Sequence, residues 1–325
     1  MKNKIAIIIP YFGVLPNYFD LWLKSASCNK EIDFFIYTDS TSEILLNQYQ
    51  NIIINRMTFV EFKEKIQKLF EFKISLDSPY KLCDYKPTYG KALKNDLKGY
   101  DFWGYCDVDL IFGRLNKFIE DDILDRNDRI YNLGHLTLYR NDNKMNNLYK
   151  IVHKFNDCFS YKYAYRTSFS TAYDEIGTKY GYGLSTICKR IGIKNYVKLD
   201  FADINPDKYM FELAYTNGQC MDYFIYDHGR IYGVYKNQRI EEYAYVHLQK
   251  RLMIKDEINE DMYYISPNHF RNLEKDVIKD IKSKDGEKNF KKRLIKRKIQ
   301  SKITKLRQGA IIHYINKYLE KINIK

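Results

Sequence analysis

The sequence predicts an α/β fold whose leading half is a parallel sheet, and three observations carry that expectation. Apolar runs of strand length recur at residues 4–10, 33–39, 52–54 and 100–106. Stretches with apolar residues every three or four positions lie between several of them, a helical spacing. A strand, a helix and a second strand in that order make a right-handed crossover, which sets the two strands parallel in one sheet.

Residues 4–10 (Lys4-Ile-Ala-Ile-Ile-Ile-Pro10) form a run that proline stops, so they read as a first buried strand rather than a secretory signal. Residues 11–16 are the loop above it. Phe19, Trp22, Leu23 and Ala26 mark a helix over 18–28. Residues 33–39 are a second strand ending in Asp39, and 52–54 a third. Phe59, Phe62, Ile66, Leu69 and Phe70 place a helix over 57–70, and a further helix is expected over 88–97. Beyond residue 113 the alternation dissolves into Tyr- and Gly-rich segments at 129–133 and 134–140. Helices are expected over 143–155 and 183–191, and a hairpin over 225–235 that turns at Asp227-His-Gly229. Tyr243-Ala-Tyr-Val alternates as a strand does.

With 325 residues the chain suffices for one large domain and an appendage. No run approaches the ~20 apolar residues that cross a bilayer. Cys28, Cys83, Cys106, Cys158, Cys188 and Cys220 show no Cys-X-X-Cys spacing, so neither a zinc site nor a disulfide framework is expected, and a reducing cytoplasm fits. The net charge of +13 is unevenly placed: residues 281–325 hold 15 Lys or Arg against three acids, which leaves the preceding body nearly neutral. That distribution and the lack of a nucleic-acid motif argue against DNA or RNA as a partner.

The strand over 100–106 ends in Asp107-Val108-Asp109, followed by Leu-Ile-Phe-Gly113. Two carboxylates one residue apart among apolar neighbours repel unless a cation or donor lies between them. Oxygen donors of this kind suit Mg²⁺ or Mn²⁺, which complete their shells with a substrate's phosphates. Ligands bind at such strand ends in open α/β sheets. The expected substrate is a metal-bound diphosphate.

Five segments together resemble bacterial polysaccharide-biosynthesis glycosyltransferases of GT-A type: Ile7-Ile-Ile-Pro-Tyr-Phe-Gly13, Cys83-Asp-Tyr-Lys-Pro-Thr-Tyr-Gly90, Asp101-Phe-Trp-Gly-Tyr-Cys-Asp-Val-Asp-Leu-Ile-Phe-Gly113, Gly134-His-Leu-Thr-Leu-Tyr-Arg-Asn141 and Tyr245-Val-His-Leu-Gln-Lys250. The resemblance implies a mixed central sheet with flanking helices. It also implies a catalytic domain over 1–280, with a nucleotide-binding half at about 1–113 and an acceptor-binding half at about 114–280. Pro10, Tyr11, Phe12 and Asp39 would then hold the base and ribose of a nucleotide-sugar, most simply a UDP-sugar. Lys86 and Lys250 would meet its diphosphate beside Asp107. His247 would join Asp107 and Asp109 on the metal. An inverting hexosyl transfer needs a base for the acceptor hydroxyl, and Asp174 or Glu175, in Thr171-Ala-Tyr-Asp-Glu-Ile-Gly177, is the expected one.

In the tail, Phe290, Leu294, Ile295, Ile299, Ile303, Leu306 and Ala310 recur at helical spacing among Lys and Arg, and residues 311–322 suggest a second helix. A cationic amphipathic helix suits an anionic membrane, here the inner face of the cell membrane, where a polysaccharide or lipid-linked glycan acceptor is found, and the alternative is a solvated helix that packs its apolar stripe on the catalytic body. The contrasting expectation is a non-catalytic carbohydrate-binding or assembly protein at that membrane. A metal-dependent nucleotidyltransferase is weaker still, because no Gly-rich phosphate loop is present.

Overall fold

The computed structural model describes residues 1–307 except 47, 48, 217 and 259. Its centre is a seven-stranded mixed sheet, so the α/β architecture expected from the sequence is the one observed. Strand β1 (Ile5–Pro10) pairs parallel with β2 (Ile32–Thr38), and β2 with β3 (Ile52–Arg56). On its other side β1 pairs parallel with β4 (Phe102–Cys106), from Ile5 against Phe102 to Ile8 against Tyr105. β5 (Leu110–Phe112) leaves this sheet. β6 (Arg129–Ile130) and β7 (Leu136–Arg140) extend it, β7 lying antiparallel to both β4 and β6. The short strand Asn195–Tyr196 closes the edge parallel to β6.

β1 is buried on both faces, which explains its unbroken apolar run. Ile5, Ile7 and Ile9 pack on Phe19, Trp22, Leu23 and Ala26 of helix α1 (Phe19–Ser27). Ala6 and Ile8 face the opposite core, with Phe62 and Ile66 of α2 (Phe59–Gln67). Thr58 and Glu61 form a reciprocal cap at the start of α2, which fixes where that helix begins.

Two expected helices are much shorter than the sequence suggests. Over 88–97 only Tyr89–Ala92 is helical; Leu93 then leaves helical backbone, and the chain turns so that Leu93 and Leu97 both reach the core. Over 143–155 there is one turn, Asn143–Asn146, and a 3₁₀ turn, Leu148–Lys150. An asparagine side chain accounts for the second case. The Asn147 side chain donates to the Asn143 carbonyl at 2.7 Å, the acceptor that a helical ladder would give to the Asn147 backbone N–H. The helix Leu184–Arg190 and the hairpin Cys220–Asp227 with Arg230–Tyr235 lie where expected.

A second sheet has three strands. Strand Tyr245–His247 runs antiparallel to β5 and parallel to Ala202–Asp203, with His247 opposite Leu110 on one side and Asp203 on the other. An antiparallel sheet built on the 220–235 hairpin lies beyond it. The chain then enters a 24-residue helix, Lys284–Arg307. It touches the body at two places: near its start Phe290 sits 6.0 Å from the Tyr209 ring and beneath the Arg251 guanidinium at 5.1 Å, and past its midpoint Arg297 donates to the Pro206 carbonyl at 3.1 Å and Lys298 to Asp207 at 2.9 Å. Ile295, Ile299 and Ile303 are exposed. Ala310 and the second tail helix expected over 311–322 lie outside the described residues. No described helix is long and apolar enough to cross a membrane.

Candidate active site

The end of β4 and the three-stranded sheet bring Asp107, Asp109 and His247 together, each with one potential ligand atom and all within 4.8 Å of one another. Asp107 is half-buried; its backbone N–H donates to the His135 carbonyl at 2.9 Å, which anchors it to β7. Asp109 is buried. One of its oxygens accepts the Lys250 backbone N–H at 2.6 Å, and the other lies 3.4 Å from His247 Nε2. That N–H is aimed by two successive left-handed residues, Gln249 (φ 52°) and Lys250 (φ 57°), an uncommon backbone for side chains other than glycine.

His247 Nδ1 is held by Asp203 at 2.8 Å, and Gln249 Nε2 donates to the same oxygen at 2.6 Å. Burial works against a charge on His247, but Asp109 and Asp203 outweigh it and lift its pKa to about 10. Burial likewise opposes ionisation of Asp109, and the His247 and Lys250 charges overcome it, holding the carboxyl below the usual range. An imidazolium between two carboxylates thus stands where a divalent ion would neutralise the same charges. The donor set fits Mn²⁺ or Mg²⁺: two carboxylates, of which Asp107 is partly exposed, and an imidazole whose far nitrogen is oriented by a carboxylate.

Lys86 departs from its expected place. Its ammonium is buried and donates to Asp107 at 2.7 Å and the Gly134 carbonyl at 2.8 Å, with Asp174 at 3.6 Å. Burial disfavours the charge, but these acids raise its pKa well above the ordinary value. It therefore braces Asp107 from beneath the rim. Lys250 is exposed, with its ammonium 4.5 Å over the Tyr80 ring and donating to the Tyr80 hydroxyl at 3.5 Å.

The neighbouring acids Asp174 and Glu175 have separate fates. Asp174 is fully buried, with neither carboxyl oxygen hydrogen-bonded among the described residues. Burial pushes its pKa well up. It lies behind Lys86, 3.6 Å from the ammonium, and of the two acids expected as a base it is the one shut off from solvent. Glu175 is half-buried against Gly134, whose φ of 84° and missing side chain make room for it. Burial raises its pKa to about 7; Lys86 opposes the shift and Asp107 adds to it. The turn that carries both acids is pinned by Asp84, which accepts the backbone N–H groups of Thr171 at 2.8 Å and Tyr173 at 3.0 Å.

The loops after β1 and β2 flank a cavity of about 560 Å³ lined in part by Gly13, Asn17 and Asp39. Asp39 is exposed and accepts the Gly13 N–H at 3.2 Å. Pro10 and Tyr11 are half-buried at the end of β1, with the Tyr11 hydroxyl donating to the Val14 carbonyl at 3.0 Å. Burial and the Asp109 charge raise the Tyr11 pKa, and the Lys250 charge opposes them. Phe12 turns the other way, into the core against Phe59 and Phe62, so it supports the loop from below rather than facing a ligand.

Sequence reasoning missed Asp203 and the local role of His135, whose ring lies 4.5 Å from that of His247. A signal existed for both. Phe201-Ala-Asp203 repeats the pattern of an apolar strand ending in an acid, and His135 belongs to the Gly134–Asn141 motif.

Residues 7–274 match the profile described as "Family of unknown function (DUF6625)". No curated protein matches significantly. Among solved structures, the chain is similar to galactosyltransferase LgtC with donor and acceptor sugar analogues, at 14% identity and a TM-score of 0.28, covering 42% of this chain and 58% of that one. An active-site mutant of LgtC gives 12% and 0.39 over 74% of this chain and 86% of that one. Apo mouse xyloside xylosyltransferase 1 gives 9% and 0.35 over 62% and 88%. Likenesses this loose carry no weight of their own, and the reading below rests on the site.

Proposed function

The chain belongs to that family of unknown function, DUF6625, and we propose that it is a metal-dependent glycosyltransferase of GT-A type. In this reading it moves a sugar from a nucleotide-diphosphate donor, a UDP-sugar being the simplest, to a surface polysaccharide or its lipid-linked precursor. The observation that carries the proposal is the convergence of Asp107, Asp109 and His247 at the end of β4, with Asp203 orienting the imidazole.

Asp107, Asp109 and His247 would hold Mn²⁺ or Mg²⁺, which when bound supplies positive charge to a diphosphate leaving group. Lys86 keeps Asp107 in place, with the Asp174 carboxyl packed 3.6 Å from its ammonium. The exposed Lys250 ammonium meets the leaving phosphate. Pro10, Tyr11 and Asp39 face the nucleoside from the loops after β1 and β2. Glu175, half-buried and with a pKa near neutrality, accepts the proton of the acceptor hydroxyl in an inverting transfer.

Residues 1–280 form the catalytic domain and 281–325 the tail. The exposed Ile295, Ile299 and Ile303 lie on a helix crowded with Lys and Arg. That helix supports peripheral attachment to an anionic membrane at the inner face of the cell membrane, each basic residue near the lipid contributing on the order of 1 kcal/mol.

The reading is tested by thermal shift with UDP and a panel of UDP-sugars, with and without Mn²⁺. A ligand that binds the folded state raises the melting temperature by mass action. A rise that requires Mn²⁺ and vanishes in Asp109→Ala supports the enzyme. No nucleotide binding under any condition favours the non-catalytic carbohydrate-binding alternative.

A further inference from the structure

The inner wall of the site holds a second set of donors. His135, Asp203 and His247 each offer one potential ligand atom, the three atoms lie within 4.8 Å of one another, and all three residues are buried. Tyr245 Oη engages His135 Nδ1 at 3.0 Å, but His135 Nε2 is buried with no hydrogen-bond partner among the described residues. Buried imidazole nitrogens are nearly always paired, so a bare one beside a carboxylate and a second imidazole points to a ligand.

We propose that His135 Nε2, an Asp203 oxygen and His247 Nδ1 form a zinc site, separate from the carboxylate rim, and that zinc bound there weakens the rim site. Two imidazoles and one carboxylate with a fourth position for water are a zinc donor set, whereas the oxygens of Asp107 and Asp109 suit Mn²⁺ or Mg²⁺. Each inner ligand is already oriented: His135 by Tyr245, Asp203 by Gln249 Nε2 at 2.6 Å, and His247 by Asp109 at 3.4 Å. A cavity of about 110 Å³ lined by Phe201, Asp203, Tyr215 and Glu241 lies on the Asp203 side of the three donors.

The antagonism follows from the single lone pair of a neutral imidazole. With an ion on His247 Nε2, the ring's proton is on Nδ1 and donates to Asp203. With zinc on Nδ1, the proton is on Nε2 and faces Asp109, so the rim loses its nitrogen ligand. The antagonism rests on the rim reading proposed above, whereas the zinc site stands without it.

The test titrates full-length protein with zinc chloride by calorimetry. Asp107→Asn/Asp109→Asn protein is expected to bind one equivalent of zinc, and adding His135→Gln to weaken that binding by ~10-fold or more. Tyr245→Phe, which removes only the orienting hydroxyl, is expected to weaken it less and serves if the histidine variant does not fold. In the unmodified protein, zinc should displace Mn²⁺ followed by electron paramagnetic resonance, and His135→Gln should suppress that displacement. Absence of zinc binding in the rim double variant, or unchanged zinc affinity in both the His135 and Tyr245 variants, overturns the inner site. Zinc binding that leaves Mn²⁺ affinity unchanged overturns the antagonism. Zinc binding by a protein that never binds Mn²⁺ overturns the rim reading and leaves the inner site standing.

Discussion

The oxygen half and the imidazole half of the proposed metal rim are built by opposite means. Asp107 stands at the end of β4, which lies between β1 and β7 in a continuous sheet and pairs with β7 over five residues. His247 and Asp203, 44 residues apart in sequence, stand on strands of three and two residues that hold each other and β5. The first half is fixed by buried strands that would form without the site. The second depends on long-range pairing and on the charges it joins. Damage to the oxygen half should therefore remove the ion while the fold stays, and damage to the imidazole half should grade the affinity.

The largest effect is expected from Asp109→Ala, because this carboxylate belongs to both halves, facing His247 and accepting the Lys250 N–H. Metal-dependent transfer should fall on the order of 10³-fold, measured as UDP release with Mn²⁺ present. Next comes the opposite wall. If Glu175 is the base, it must be ionised to act, so the transfer rate should rise about tenfold per pH unit below its pKa of about 7 and level off above it. Glu175→Gln should lose that ascending limb and slow transfer by roughly 10²-fold, whereas a limb unchanged in the variant assigns the base elsewhere.

Asp203→Asn sharpens the comparison from the imidazole side. It keeps the shape but removes the charge that orients His247, and Mn²⁺ affinity should drop by roughly 10–100-fold in calorimetry. An unchanged affinity would mean that the rim holds its ion through oxygens alone. The smallest effect on catalysis belongs to the tail. Replacing the exposed Ile295, Ile299 and Ile303 by Ser should leave folding stability within about 0.5 kcal/mol and abolish flotation with anionic vesicles. Equal flotation by both proteins removes the membrane assignment.

The same contrast explains what the sequence disclosed. Residues 5–10 and 102–106 are buried on both faces, so their apolar runs announce strands, and the acids that end β4 stand out against them. Helices α1 and α2 carry a periodic stripe because one face meets a core, and the Asp227-His-Gly229 turn sits where the hairpin reverses. Asp203 had only the faint signal of Phe201-Ala before an acid, because a two-residue strand carries no periodicity. Nothing local distinguishes Asp174 from Glu175 either: which one is sealed behind Lys86 and which stays half-buried depends on Asp84 and Gly134, distant in sequence. Residues 143–155 misled because the asparagine side chain that breaks the helix acts through a hydrogen bond that a count of apolar positions does not register.

The most direct test is a crystal of the unmodified protein soaked with Mn²⁺ and UDP and recorded at the manganese absorption edge. The account predicts one anomalous peak within coordination distance of Asp107, Asp109 and His247 Nε2, with the diphosphate on its open side. A diphosphate bound elsewhere, or a rim that stays empty with His247 still bridging Asp109 and Asp203, would contradict it.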